Sequence, residues 1–338
     1  MSDALTRDDV VQVLSAAEGF FPSSVLFALM RLGVLSRLAE EPASAAEVAD
    51  GLQADPETVA RLLNAGVMLN ILEYHEGGIF AVSPPYRSML VPDSGPFHMG
   101  EWVLNLEYFR DALSLLDKAV LTSKPQATYV DDARGEREHT RLFTKAMHNY
   151  ALFAGRELAG YLDTSGCRNL LEIGAGPGTY SFHLAEANPE LRLTLADLPE
   201  VLEIAREIEA SFRIAQPVEY LSVDLRTDTI EGEYDLVLLS NTLHMLGEEA
   251  SRELLASVRP LVRPGGSVVV QAQFLDEDRR GPRWPVLLDL LQLCITDAGR
   301  NHTVAETRTW LADAGFQDAE HVAMSGDNVN SFIRAWKR

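Results

Sequence analysis

The run Leu170-Leu171-Glu172-Ile173-Gly174-Ala175-Gly176-Pro177-Gly178-Thr179 carries the residue types of a nucleoside site. An apolar strand leads into a glycine turn that opens a helix, and Asp197 ends the next apolar run. Three alternate glycines let a ligand approach the backbone closely, because no Cβ stands in the way. An acid closing the second strand can accept hydrogen bonds from a ribose diol. A dinucleotide fingerprint places its third glycine three residues after the second, to pack helix on strand and seat a pyrophosphate. Thr179 holds that position here, Gly178 comes one residue early, and Pro177 stiffens the turn. Glu172, just before the first glycine, would repel a pyrophosphate and hold an amino-acid ammonium through water, or else cap neighbouring backbone. These features fit S-adenosylmethionine better than a nicotinamide dinucleotide.

Two further residues carry candidate chemistry. His244 follows the apolar run Asp235-Leu236-Val237-Leu238-Leu239, at the sheet edge where open α/β folds place ligands. Its imidazole titrates near neutrality, which suits taking a proton from an acceptor hydroxyl; the competing reading is a helix cap or a core histidine. Asp224 ends the third apolar run, as a ligand acid or as a turn former.

The elements that must position these groups are legible in the pattern. From about Ser165 the chain alternates strand and helix, the signature of a doubly wound sheet. Strands are expected at 169–173, 191–196, 218–223, 234–240 and 267–273, with a late pair near 320–324 and 330–336. Ser325-Gly326-Asp327-Asn328 joins that pair as an antiparallel hairpin, giving a Rossmann-like sheet with an antiparallel final strand. Thr303-Val304-Ala305-Glu306 is a capping box for a helix that Gly315 stops.

The first ~95 residues read differently. Ser44-Ala45-Ala46-Glu47 is a capping box opening a helix through Leu52, and Asp55-Pro56 opens a second through about Asn70. Two short strands about His75-Glu76-Gly77-Gly78 complete a winged-helix pattern. A DNA reader needs basic residues on its second helix, and that helix carries only Arg61 beside Glu57. The better reading is a dimerisation or substrate-shielding module. Phe20 to Met30 is apolar on more than one face, as a buried or subunit-facing helix would be. The expected organisation is therefore a dimerisation domain over 1–95, connecting helices over 96–160 and a cofactor-binding domain over 161–338.

Composition sets bounds on function. A chain of 338 residues with 46% apolar and 23% charged residues has ordinary globular composition. Its net charge of −21 disfavours nucleic acid and anionic membrane. Two cysteines, Cys167 and Cys294, lack metal-ligand spacing and suggest a reducing cytoplasm, so neither a metal nor a disulfide is expected. The amino terminus lacks an apolar signal core, and no run is expected to approach the length of a membrane span.

The chain resembles a known family at several places: Leu170 to Gly178, Ala196-Asp197-Leu198-Pro199-Glu200-Val201, Asn241-Thr242-Leu243-His244 and Arg263-Pro264-Gly265-Gly266. It is similar over nearly its whole length to the class I S-adenosylmethionine-dependent O-methyltransferases of the plant caffeate/flavonoid and bacterial polyketide-tailoring type. Phe143-Thr144-Lys145-Ala146-Met147 resembles the family's Phe-x-x-Ala-Met, whose methionine lines the acceptor pocket. The resemblance implies that Gly174, Gly176 and Gly178 wrap the methionine and ribose portions of the cofactor, that Asp197 binds the ribose hydroxyls and that Asp224 binds the adenine amine. Glu172, Leu198, Leu225 and Ser240 join them as cofactor contacts. His244 is implied as general base, S-adenosylhomocysteine as product, and a homodimer in which one subunit's N-terminal domain partly closes the other's acceptor site. Met147, Phe153, Trp284 and Leu288, with Asn301 and His302, are the expected acceptor contacts for a small aromatic hydroxyl compound of secondary metabolism, although each apolar member alone also reads as core.

The chain departs from the plant-type pattern beside the histidine. Met245-Leu246 replaces Asp-Trp, and the two glutamates that orient the imidazole are replaced by Ala272 or Gln273 and by Asn301. Aligning the reacting atoms contributes about 7–11 kcal/mol, while a positioned base supplies roughly 10²–10⁴ in rate. Methyl transfer therefore survives the change. An acidic phenol becomes the easier acceptor, and transfer to nitrogen or carbon, or a non-methylating use of the cofactor, becomes the alternative.

Overall fold

The computed structural model describes residues 6–95, 97–127, 137–324 and 330–338. It divides into two compact units, one ending at Glu107 and one running from Tyr108 to Arg338.

The first unit is built from local capping signals. Helices α1 (Arg7–Glu18), α2 (Phe20–Arg31) and α3 (Val34–Glu40) precede a two-residue strand β1 (Ala43–Ser44). Ser44 then caps α4 (Ala45–Leu52) reciprocally with Glu47, and Asp55 accepts the Thr58 N–H at 2.9 Å to start α5 (Pro56–Met68). Strands β2 (Leu72–His75) and β3 (Ile79–Val82) form the wing, and β1 pairs with β3 as a third strand. Leu29, Leu38, Leu63 and Leu72 are buried at the centre of this unit. By contrast α1 buries nothing, and Val13, Phe20 and Phe21 stand more than half exposed. The expectation that nothing approaches a membrane span is corrected here: Arg7–Arg31, 25 residues, is long and apolar enough by length and composition. Asp8, Asp9, Gln12, Ser15 and Glu18 interrupt the run in sequence, which is why it escapes a search for unbroken apolar stretches.

The second unit holds α8 (Leu116–Thr122) and α9 (Arg137–Tyr161), after α6 (Pro84–Leu90) and α7 (Gly100–Leu113) earlier in the chain. A sheet and its helices follow: β4 (Asn169–Ile173), α10 (Thr179–Ala187), β5 (Arg192–Asp197), α11 (Pro199–Glu209), β6 (Val218–Ser222), β7 (Tyr234–Ser240), α12 (Glu248–Leu261), β8 (Val262–Ala272), α13 (Arg283–Ile295), α14 (Val304–Asp313), β9 (Gln317–Ala323) and β10 (Ser331–Trp336). The strand order is β6-β5-β4-β7-β8-β10-β9. The first five are parallel, and β10 enters antiparallel to β8 with Ile333 opposite Val270. The class is the Rossmann-like α/β fold with an antiparallel final strand.

Neighbouring strand residues alternate between two cores. Leu170, Leu193, Leu236 and Val269 pack toward α9, α10 and α11, while Leu171, Val237, Val268 and Ile333 pack toward α12 and α14. A sheet buried on both faces explains why its strands read as continuous apolar runs. Strand β8 begins at Val262, five residues before the expected start. Gly265 donates to the Lys337 carbonyl at 2.7 Å and Lys337 back to Gly266 at 3.0 Å, so the glycine pair lies within the strand. The turn expected at Ser325 to Asn328 lies outside the described residues.

Candidate active site

Order reverses between β4 and β7, so the chain leaves these strands in opposite directions and opens a crevice at their C-terminal edge. The loop after β4 enters it. Gly174, Gly176 and Gly178 all take positive φ, at 67°, 54° and 73°. They do three different things. A Cβ at Gly174 would press on Thr242 at 3.1 Å, and one at Gly178 would strike Leu195 at 2.6 Å and Phe182 at 2.8 Å. A Cβ at Gly176 would meet nothing within 4 Å. Gly178 is thus a packing glycine between helix and sheet, and Gly176 is the one that faces open space.

Asp197, at the end of β5, holds this loop. One carboxylate oxygen accepts the Gly176 N–H at 2.7 Å and the other accepts the Leu198 N–H at 2.7 Å. Burial raises its pKa against the pull of those two donors. Each oxygen keeps a lone pair for a further donor. Glu172 lies below the loop and is fully buried. Ser181 donates to one of its oxygens at 2.6 Å and Ser240 to the other. Burial pushes this carboxyl up to about 7, despite both hydroxyls. Ser240 is therefore engaged by Glu172, and Asp224 is engaged by the Arg226 guanidinium at 2.7 and 3.0 Å. Leu225 beside it is exposed.

The chain leaving β7 adopts a positive φ of 50° at Asn241, then a tight turn, Leu243–Met245, that presents His244. The turn is wedged from behind by a loop: a Cβ at Gly299 would lie 2.8 Å from the His244 carbonyl oxygen and 3.1 Å from that of Met245. His302 holds it from the side, with Nε2 donating to the Leu243 carbonyl at 3.2 Å, which leaves Nδ1 as an acceptor. Its ring meets Trp310 edge-on at 4.7 Å.

His244, Gln273, Asn301 and His302 line one narrow cavity of about 10 Å³, roughly the room of one water molecule. Four of their polar atoms, His244 Nδ1, His302 Nδ1, Gln273 Oε1 and Asn301 Oδ1, have no hydrogen-bond partner among the described residues. Burial pushes the His244 imidazole down to about 4, and neighbouring His302 adds to the shift. His244 is accordingly neutral across physiological pH and can accept a proton. Gln273 donates to the Tyr150 hydroxyl, and Asn301 donates to the Pro285 carbonyl at 2.9 Å. Both amides that replace the expected carboxylates thus reach the imidazole's cavity, and both spend their N–H groups elsewhere.

The arrangement matches known proteins. Residues 117–317, more than half of the chain, match the O-methyltransferase domain family, and residues 14–87 match the O-methyltransferase dimerisation domain. The chain belongs to the O-methyltransferase family. It is an S-adenosylmethionine-dependent methyltransferase. A 3-hydroxy-5-methyl-1-naphthoate 3-O-methyltransferase from Streptomyces sahachiroi is 29% identical, covering 95% of this chain and 93% of that one. The tetracenomycin polyketide synthesis 8-O-methyltransferase of Streptomyces glaucescens is 29% identical, covering 95% and 94%. The structure of human N-acetylserotonin methyltransferase superposes with a TM-score of 0.87 at 24% identity, covering 100% of this chain and 99% of that one, a likeness of fold.

Within this methyltransferase the expected acceptor contacts separate. Asn301 and His302, both buried, share the cavity of His244. Met147, Trp284 and Leu288 do not line it; Met147 and Trp284 are half-buried on α9 and α13, and Leu288 is buried. Phe153, also on α9, is 49% exposed. Sequence reasoning missed a polar cluster beside the site. Asn241 donates to Tyr180 and to Gln271, both at 3.0 Å, and Gln271 donates to Asn330 at 3.3 Å, which also accepts from Tyr150 at 3.4 Å. The available signal is Gln271 and Gln273 at strand spacing after three valines, two amides on one sheet face where apolar residues are expected.

Proposed function

We propose that this enzyme transfers the methyl group of S-adenosylmethionine to a hydroxyl oxygen of a small aromatic, polyketide-like acceptor, with His244 as general base, and that it acts as a homodimer. The observation that carries the reading is convergence: the open face of Gly176, the Asp197 carboxylate and the His244 imidazole follow β4, β5 and β7 onto one sheet edge. The residues fit the cofactor. Gly176 leaves the room a side chain would fill, and Asp197 keeps acceptor capacity for ribose hydroxyls after holding the loop. Asp224 would receive the adenine amine while keeping Arg226, with Leu198 and Leu225 as apolar contacts. Glu172 and Ser240, bonded to one another beneath the loop, support it rather than reach the ligand. When bound, S-adenosylmethionine supplies a methyl on a sulfonium that keeps the sulfur–carbon bonding pair and leaves as S-adenosylhomocysteine.

The chain's own residues do the rest. His244 takes the acceptor O–H proton on its ring nitrogen, the freed oxygen pair forms the new O–CH3 bond, and the proton passes on to solvent. The Gly299 wedge and the His302 contact fix where that nitrogen sits. Support for the acceptor class comes from two relatives, one named for a hydroxylated naphthoate and one for tetracenomycin polyketide synthesis. His244→Ala tests the base: with a weakly acidic acceptor such as a plain naphthol, turnover should fall roughly 10²–10⁴-fold, with calorimetric affinity for S-adenosylmethionine preserved. Lost affinity with undiminished turnover per bound cofactor would remove His244 from the proton-transfer step.

A further inference from the structure

The surroundings of His244 restrict which acceptors it can serve, an inference that rests on the methyl-transfer reading above. A histidine base works best when a carboxylate receives the N–H on its far side, because that charge stabilises the imidazolium as it forms. Here amides stand in place of the carboxylates, with Gln273 and Asn301 sharing the cavity of His244. Asn301 Oδ1 and Gln273 Oε1 are unpartnered and line the same cavity as His244 Nδ1. Each can receive an N–H and so orient the ring, but neither carries charge.

Two carboxylates bonded to the loop that carries Asn301 and His302 face other partners than His244. Asp289 of α13 accepts the Asn301 backbone N–H at 2.6 Å. Glu306 of α14 accepts the Thr303 N–H at 2.9 Å and pairs with Arg279 and, at 3.5 Å, with Arg300. Burial lowers the His302 pKa, and an imidazole adds no negative charge. The cavity residues on β8 and just after it, Val270, Ala272, Gln273 and Phe274, bring no charge.

We propose that this enzyme selects acceptors whose reacting hydroxyl is unusually acidic, such as an aromatic hydroxyl conjugated with a quinone carbonyl or carrying a strong electron-withdrawing group. An ordinary phenol ionises near pKa 10. Handing its proton to an imidazole near 4 runs about a millionfold uphill, since each unit is tenfold. A hydroxyl ionising near 6 faces only about a hundredfold, and at neutral pH it arrives largely as the oxyanion. The two amides mark a site in which the acceptor supplies much of the acidity that a carboxylate–histidine pair would otherwise provide.

The test is a panel of hydroxynaphthoquinones, nitrophenols and plain naphthols of similar size, assayed with the intact enzyme for both methylated product and S-adenosylhomocysteine. We expect kcat/KM at pH 7 to fall about fivefold or more per unit rise in hydroxyl pKa. Asn301→Asp should narrow the gap between acidic and plain hydroxyls at least tenfold and move the acid limb of the pH profile upward. Equal rates across the panel overturn the proposal and leave methyl transfer intact. No product from any member, with no calorimetric uptake of S-adenosylmethionine, overturns both.

Discussion

At the scale of single residues, Glu172 shows how burial and hydrogen bonding compete for one carboxyl. Ser181 and Ser240 both donate to it, which favours the ionised form, yet complete removal from water outweighs them and holds the group near 7. The folded value lies above the ordinary 4.5, so this carboxyl's stabilising contribution is full below pH 4.5 and is lost as pH rises through about 7. A shift of that size corresponds to about 3 kcal/mol. Glu172→Gln removes the titration and can still exchange hydrogen bonds with both serines. Denaturant titrations should therefore find wild type losing about 3 kcal/mol relative to Glu172→Gln between pH 4.5 and 8. A pH-independent difference would mean the carboxylate is ionised inside the fold. The loop above depends on this group, because Glu172 ties β4 to the start of α10 and to the end of β7.

Among the elements, the glycine loop allows two neighbouring positions to be separated by what they face. Gly178→Ala places a Cβ in the left-handed region, costing about 1–2 kcal/mol, and drives it into Leu195 and Phe182 for a further 1–3 kcal/mol. Its defect should appear as a lowered thermal midpoint. Gly176→Ala takes the same left-handed cost at φ 54° but meets no neighbour within 4 Å, so it should lose less stability than Gly178→Ala while losing most of the calorimetric affinity for S-adenosylmethionine. If both variants lost stability equally, the open face of Gly176 would not be a ligand cradle. The same contrast shows what was legible in the sequence. Strands β4 and β7 were readable to the residue because local apolar runs end at glycine or at a polar turn. Strand β8 was not, since its start depends on Lys337 pairing with Gly265 and Gly266 from seventy residues away. The polar cluster joining Tyr150, Tyr180, Asn241, Gln271 and Asn330 was hidden for a related reason: its members come from separate elements and meet only in the folded chain. That His244 shares a cavity with Gln273 and Asn301 follows from the motif positions; that both amides point their N–H groups elsewhere does not.

For the molecule as a whole, the decisive quantity is the apolar surface left uncovered on the first unit. Helix α1 exposes Val10, Val11, Val13 and Leu14, and α2 opens with Phe20 and Phe21, the latter 60% exposed. Residues 14–87 match a dimerisation domain, and in the homodimer proposed above a second copy of the chain would cover this face. Each copy carries −21, which opposes association over long range, whereas burial of aromatic rings favours it at short range. Added salt screens the first term, with a Debye length near 10 Å at 0.1 M, and leaves the second largely untouched. Sedimentation equilibrium should therefore show a dimer whose dissociation constant falls as salt rises from low ionic strength to about 0.5 M. Phe20→Glu with Phe21→Glu should give monomer, because it both removes the apolar surface and adds charge to the repulsive side, and the second unit's affinity for S-adenosylmethionine should persist. A dimer that weakens with salt would instead place complementary ion pairs, rather than this apolar face, at the centre of assembly.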